Sequence, residues 1–322
     1  MKTYDVIALG ELLIDFTMNG ENERGNSMFE ACPGGAPCNV LAMLNKLGRK
    51  TYFLGKVGKD AFGIQLRKTL ETAGIDTSKL YEDREVHTTL AFVHTLPDGD
   101  REFSFYRNPG ADMMLVEEEV TEEYIRQARV IHFGTISMTH DGVRNATKKA
   151  VELAKKNGLL ITFDPNLRPP LWESLESAKE QMEYGFSQCD VLKISDNELQ
   201  FASGKEDYDE GICILQEKYK IPLIFLTLGK EGSRAYYKGM CVEEKGYNVQ
   251  AVDTTGAGDT FCGSVIHAVL KYGLETLTEE KLREILAFAN SAGALVTTKK
   301  GALCSMPKQE EIMELMKKEK RI

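Results

Sequence analysis

Short apolar runs alternate with amphipathic stretches through most of this chain, and that alternation leaves few folds open to it. Residues 4–9 read YDVIAL and stop at Gly10, the pattern of a strand buried on both faces. Similar runs recur at 51–54, 130–133, 159–163, 191–194 and 223–228. Between them, apolar residues at spacings of three and four predict helices over 39–47, 63–73, 143–156, 260–272 and 279–297. Gly48, Gly74, Gly158 and Gly273 fall where helices end. Strands alternating with helices predict an α/β fold with a parallel sheet. Two segments break the rhythm. Residues 12–30 are polar and irregular, and 88–96, the turn Pro97-Asp98-Gly99-Asp100 and 102–107 read as a hairpin. Both suggest antiparallel structure, so a small β lid is expected from roughly residues 12–36 and 86–108, inserted in a single domain spanning 1–322.

Composition narrows the function. At 42% hydrophobic and 28% charged residues the chain is of ordinary globular type. Its apolar runs, such as IPLIFLTLG at 221–229, fall far short of the roughly 18 residues of a spanning helix. Lys2 leads at once into a strand with no signal-peptide pattern, so a cytoplasmic location is expected, without membrane association. Forty basic against 49 acidic residues give a net charge of −9, which disfavours nucleic-acid binding. Seven cysteines at irregular spacing contain no C-x-x-C and read as reduced, mostly buried thiols. The five histidines form no H-E-x-x-H.

The segment Asp253-Thr254-Thr255-Gly256-Ala257-Gly258-Asp259-Thr260-Phe261 runs directly into the apolar periodic stretch Val265, Ile266, Ala268, Val269, Leu270. Its glycines therefore sit at a helix N-terminus, where the amides of Gly256, Ala257 and Gly258 and the helix dipole suit an anion. Asp259 would repel a resting phosphate, yet is placed to take a proton from a hydroxyl attacking a phosphoryl group held there. Alternatively it is a first-turn acid and the glycines only shape a turn. No G-x-x-x-x-G-K-[ST], H-R-D or D-F-G accompanies it, so neither a P-loop enzyme nor a protein kinase explains the site. A second glycine element, Pro33-Gly34-Gly35-Ala36-Pro37-Cys38-Asn39, precedes the first helix and permits close backbone approach to a ligand.

Together these two elements resemble the signatures of the PfkB, ribokinase-like carbohydrate kinases. Gly10-Glu11-Leu12-Leu13-Ile14-Asp15 and Gly55-Lys56-Val57-Gly58-Lys59-Asp60-Ala61-Phe62-Gly63 also fall in family order, so the resemblance spans essentially the whole chain. The segments 105–113 (FYRNPGADM) and 164–172 (DPNLRPPLW) look most like those of fructokinases. Similar segments occur in 2-keto-3-deoxygluconate kinases and aminoimidazole riboside kinases. The resemblance implies a three-layer α/β/α core with a β lid, and transfer of the γ-phosphoryl of ATP to a sugar hydroxymethyl group, for fructose at its 6-hydroxyl. A non-catalytic sugar-binding protein on the same fold is the other reading.

The resemblance also implies roles. Asp259 is the catalytic base, and Gly256, Ala257 and Gly258 stabilise the transferring phosphoryl group. Asp15, Gly34, Gly35 and Asn39 bind the sugar; otherwise Asp15 is a turn residue and Asn39 a helix cap. Arg107 and Arg168 lie near the sugar and phosphate, or else on the surface. Phe103 and Phe105 shield the sugar, or simply face inward on a strand. For ATP the resemblance points to Lys193, Thr227, Gly229, Gly232, Gly258 and Asn290. The family's N-x-x-E element reads Ser195-x-x-Glu198 here, so its asparagine is missing, while Glu198 organises Mg²⁺ through water. In a shifted register that role passes to Asn197. Asp253, Thr255, Ser305 and carbonyls near Val296 and Gly301 match a loop that holds K⁺. Family members often pair through their lids, which suggests a homodimer.

Overall fold

The computed structural model describes residues 2–95, 101–319 and 321, with backbone alone at 94–95 and 101–103. The strands are β1 Tyr4–Leu9, β2 Leu13–Glu21, β3 Ser27–Gly34, β4 Thr51–Gly58, β5 Asp76–Asp83, β6 Leu90–Thr95, β7 Arg101–Tyr106, β8 Ala128–Phe133, β9 Leu160–Phe163, β10 Val191–Ser195, β11 Leu223–Thr227, β12 Gly232–Tyr237 and β13 Met240–Lys245. The helices are α1 Ala36–Lys46, α2 Ala61–Thr72, α3 Glu122–Ile125, α4 Asp141–Lys156, α5 Leu175–Gln188, α6 Asp196–Ser203, α7 Tyr208–Tyr219, α8 Ala257–Tyr272, α9 Glu279–Val296 and α10 Gln309–Lys318.

Nine strands form the central sheet in the order β13-β12-β11-β10-β9-β8-β1-β4-β5. From β11 to β5 all pairs are parallel, and β12 and β13 extend one edge antiparallel. The continuous apolar run in β1 has its reason in the layers on either side. Ile7 and Leu9 pack with Val143, Ala146 and Ala150 of α4 and Met182 and Phe186 of α5. Val6 and Ala8 point the other way, onto Val40 and Leu44 of α1 and Ile266 of α8. Each buried branched side chain contributes roughly 1.5–3 kcal/mol. Because the strands are parallel, the residues that follow β1, β9, β10 and β11 emerge at one edge of the sheet, where α/β proteins place their sites.

A second sheet, ordered β3-β2-β6-β7, stands over that edge. Each of the two segments is antiparallel within itself, β2 with β3 and β6 with β7, as expected, and the two are joined side by side in parallel, β2 against β6, with Ile14 opposite Leu90. β2 and β6 are joined through β3, α1, β4, α2 and β5, a long crossover that permits parallel pairing. Residues 12–30, polar and irregular in sequence, carry β2 and the start of β3. One face of this sheet presents polar residues such as Asp15 and Thr17, which dilutes the apolar alternation. The turn expected at 97–100 and the side chain of Phe103 lie outside the described residues. The cysteines are also less buried than expected: Cys38, Cys189 and Cys262 are buried, Cys32 is partly so, and Cys213, Cys241 and Cys304 are exposed. No helix among the described residues is long and apolar enough to cross a membrane.

Candidate active site

Helix α8 begins at Ala257, earlier than the periodicity suggested, so the glycine loop is itself the first helical turn. Gly256 caps it with φ of 78°, and a Cβ there would lie 2.3 Å from Cβ of Ala302, which excludes other residues. The Ala257 amide turns back to the Thr254 carbonyl at 3.3 Å, so it is less available to an anion than expected. Gly258 lies in the first turn, where amides have no intrahelical acceptor. A Cβ on Gly258 would stand 3.1 Å from Nζ of Lys193.

Two cavities meet at this helix end. One, of about 480 Å³, lies beneath the lid and is lined by Glu11, Asp15, Asn39, Phe105, Arg168 and Asp259 among others. The other, of about 640 Å³, lies between β10–β11 and α8–α9 and is walled by Tyr247, Val249, Phe261, Ala289 and Ala294, with Thr227, Gly229, Gly232 and Asn290. Lys193, Ser195, Thr254, Ala257 and Gly258 border both. Asp259 faces only the first.

In that first cavity, Nδ2 of Asn39 donates to Oδ2 of Asp259 at 2.8 Å. Burial raises the Asp259 carboxyl above its ordinary range, against the opposing pull of Asn39, Lys193 and Arg168. Oδ1 of Asn39 is buried and has no hydrogen-bond partner among the described residues. The glycine pair fits tightly beside it. A Cβ on Gly34 would lie 2.2 Å from Oδ2 of Asp15, and one on Gly35 2.4 Å from the Glu11 carbonyl. Bare backbone at 34 and 35 is what lets β2 and the start of α1 close on each other.

Lys193, on β10, lies 3.0 Å from Oδ2 of Asp164, which follows β9. Burial alone would lower the ammonium, but Asp164 and Glu198 hold it above its ordinary value, so it stays charged. Glu198 closes a capping box on α6. Its Oε2 accepts from the Ser195 amide (2.9 Å) and hydroxyl (2.8 Å), and its Oε1 accepts from the Leu167 amide at 2.7 Å. Burial opposes its charge, yet Lys193 and these donors keep it below the usual range. With three donors on one carboxylate, Glu198 suits a metal held through water and not a direct bond. Among the described residues no group of three or more His, Cys, Asp or Glu could cage a metal ion. Asn197, the fallback for that role, borders neither cavity.

Several expected contacts lie elsewhere. Arg107 borders neither cavity. Only 8% exposed, its guanidinium is held by Asp112 (2.8 and 2.7 Å), the Thr139 hydroxyl (2.7 Å) and the Ile136 carbonyl (3.1 Å). A buried guanidinium needs a carboxylate, and Asp112 supplies it from within the protein. Asn290 borders the second cavity, but its amide is engaged by protein: Oδ1 accepts from Ser233, and Nδ2 donates to the carbonyls of Glu244 and Lys245. It builds the wall. In the loop proposed for a monovalent cation, the Asp253 carboxylate accepts from the Thr255 and Gly301 amides at 2.9 and 3.0 Å. The Ser305 hydroxyl donates to the Lys300 carbonyl, and the Val296 carbonyl receives the Lys299 amide at 3.4 Å.

Sequence reasoning assigned no role to Glu11 or Asp164, both buried acids at the site. Their signal is positional: each directly follows or nearly follows a buried strand, at the edge where parallel sheets build sites.

A glycine-capped helix end between two cavities, with Asp259 on one side, stands here in a phosphotransferase of the ribokinase-like α/β class. The chain belongs to the pfkB family of carbohydrate kinases, whose family model matches residues 4–309. It is 41% identical over 314 residues to probable fructokinase-2 of Arabidopsis thaliana, covering 97% of this chain and 95% of that one. Among solved structures, fructokinase with bound ATP from Xylella fastidiosa superposes with a TM-score of 0.90 at 29% identity, covering 99% of this chain and 100% of that one. Fructokinase from Vibrio cholerae O395, in a form with fructose, ADP and calcium ion bound, gives 0.88 at 29% identity, covering 97% and 99%.

Proposed function

We propose that this carbohydrate kinase transfers the γ-phosphoryl group of ATP to the 6-hydroxyl of D-fructose. The observation that carries the reading is the shared border of the two cavities, with Asp259 on the lid side of it alone. Fructose fills the cavity under the lid, held by Asp15, Asn39, Arg168 and the Gly34-Gly35 backbone, with Phe105 against it. ATP lies in the second cavity along Thr227, Gly229 and Gly232, and its phosphates reach Lys193 and the Gly258 amide. The 6-oxygen attacks the γ-phosphorus in line, the bond to the β,γ-bridging oxygen breaks, ADP leaves, and the hydroxyl proton passes to Asp259. A carboxyl raised by burial is the stronger base for that step. Mg²⁺ supplies charge neutralisation on the phosphates, with Glu198 holding its waters.

K⁺ is assigned to the loop of Asp253, Thr255, Val296, Gly301 and Ser305, whose segments the Asp253 carboxylate fastens together. Replacing potassium by tetramethylammonium tests this, and unchanged activity rejects it. A homodimer is assigned to the outer lid face, where Phe16, Phe29 and Tyr106 surround Phe92 and Tyr106 is 67% exposed.

The deciding assay follows ADP release with ATP, Mg²⁺ and K⁺ over fructose, 2-keto-3-deoxygluconate, ribose, aminoimidazole riboside and adenosine, with the phosphate position read by NMR. Fructose 6-phosphate is the expected product. Preference for another acceptor overturns the sugar assignment, and sugar binding without turnover overturns the catalytic one.

A further inference from the structure

Glu11 is a carboxylate that the protein itself only half satisfies. It sits two residues beyond β1, 4% exposed, on the wall of the cavity under the lid. Its Oε1 accepts the Ala36 amide at 2.8 Å, fastening the start of α1 beside the glycine pair. Its own backbone amide also lies against the carboxylate. Among the described residues no other side chain or amide donates to Oε2, and no ion pair reaches it. Arg107, a cation whose charge acts on Glu11, is already committed to Asp112. A buried carboxylate is stable when its lone pairs find donors, and Glu11 lines the cavity that Asp15 and Asn39 also line.

We infer that Glu11 is a substrate-reading residue, whose Oε2 accepts a hydroxyl of the bound sugar while Oε1 holds the Gly34-Gly35 turn in place. Glu11, Asp15 and Asn39 then form an acceptor-rich wall suited to a polyol, each hydroxyl of which must donate somewhere when desolvated. Burial pushes the Glu11 carboxyl up to about 7, against the pull of its own amide, the Ala36 amide and Arg107. The inference rests on the cavity being the acceptor-sugar site.

The test is Glu11→Gln assayed with fructose and its singly deoxygenated analogues, with thermal unfolding followed in parallel. The amide oxygen of the substituted side chain keeps the bond from Ala36, while its nitrogen replaces the accepting Oε2. In the wild type one deoxy analogue should lose roughly 10- to 100-fold in kcat/KM, the range for a hydrogen bond to a charged group. In Glu11→Gln the KM for fructose should rise by a similar factor with kcat little changed, and the penalty for that one analogue should vanish. A variant that folds but keeps the wild-type KM, or that weakens every analogue equally, overturns the inference. Failure of the wild type to use fructose at all would instead overturn the substrate assignment.

Discussion

The two cavities that meet at α8 are built by opposite means. Under the lid, the wall carries charged and amide side chains: Glu11, Asp15, Asn39, Arg168 and Asp259. The second cavity, the proposed nucleotide side, is walled mainly by Tyr247, Val249, Phe261, Ala289 and Ala294 and by glycine backbone, and its buried amide, Asn290, is turned toward the protein. A polyol offers many hydroxyls and little apolar surface, so it is read by directed hydrogen bonds. A nucleoside base offers a broad flat face, so burial and shape suffice for it. Side-chain substitutions on the two sides should therefore fail differently.

The largest effect is expected at the border. Asp259→Asn should lower kcat by roughly 10²- to 10⁴-fold while leaving the KM for ATP nearly unchanged. Retained turnover would remove Asp259 from the chemistry. Because burial raises this carboxyl, wild-type activity should decline as pH falls through a value above the ordinary carboxylate range, since protonation removes the base. A pH profile flat down to the ordinary carboxylate range would contradict that. Next, Asp15→Asn should raise the KM for the sugar roughly 10- to 100-fold and spare that for ATP; equal losses for both substrates would erase the contrast between cavities. On the nucleotide side, Asn290→Ala should act chiefly on the fold. Loss of its bonds to Ser233, Glu244 and Lys245 should cost about 1–3 kcal/mol in urea unfolding, with only a few-fold change in KM for ATP. A large KM effect without destabilisation would mean that Asn290 touches the nucleotide after all. The smallest effect on turnover belongs to Tyr106→Glu on the outer lid face. It should shift sedimentation from dimer to monomer with activity changed less than about twofold, and an unaltered sedimentation coefficient would move the interface elsewhere.

The sequence exposed some of this design readily. Fully buried parallel strands such as β1 are apolar on both faces, and a helix that starts on glycines leaves little choice of conformation, so both are visible in one dimension. The lid was harder, because a sheet with one polar, cavity-facing side and a parallel pairing across five intervening elements has no local signature. Arg107 and Glu11 show the same limit at single residues. Nothing in the chain reveals that Asp112, five residues on, claims the arginine, or that Glu11 is buried with one oxygen to spare. Charge type is written in sequence, but partnership is set by tertiary packing.

The shared border has a pharmacological consequence. Because Lys193, Ser195, Thr254, Ala257 and Gly258 belong to both cavities, a nucleotide tethered to a sugar through a chain of phosphates could occupy both at once. Such a tether turns the second binding event into an intramolecular one, at an effective concentration in the millimolar range for a short linker. Its selectivity would come from the sugar end, since many proteins offer an apolar slot for adenosine but few place an acceptor-rich wall one phosphate away.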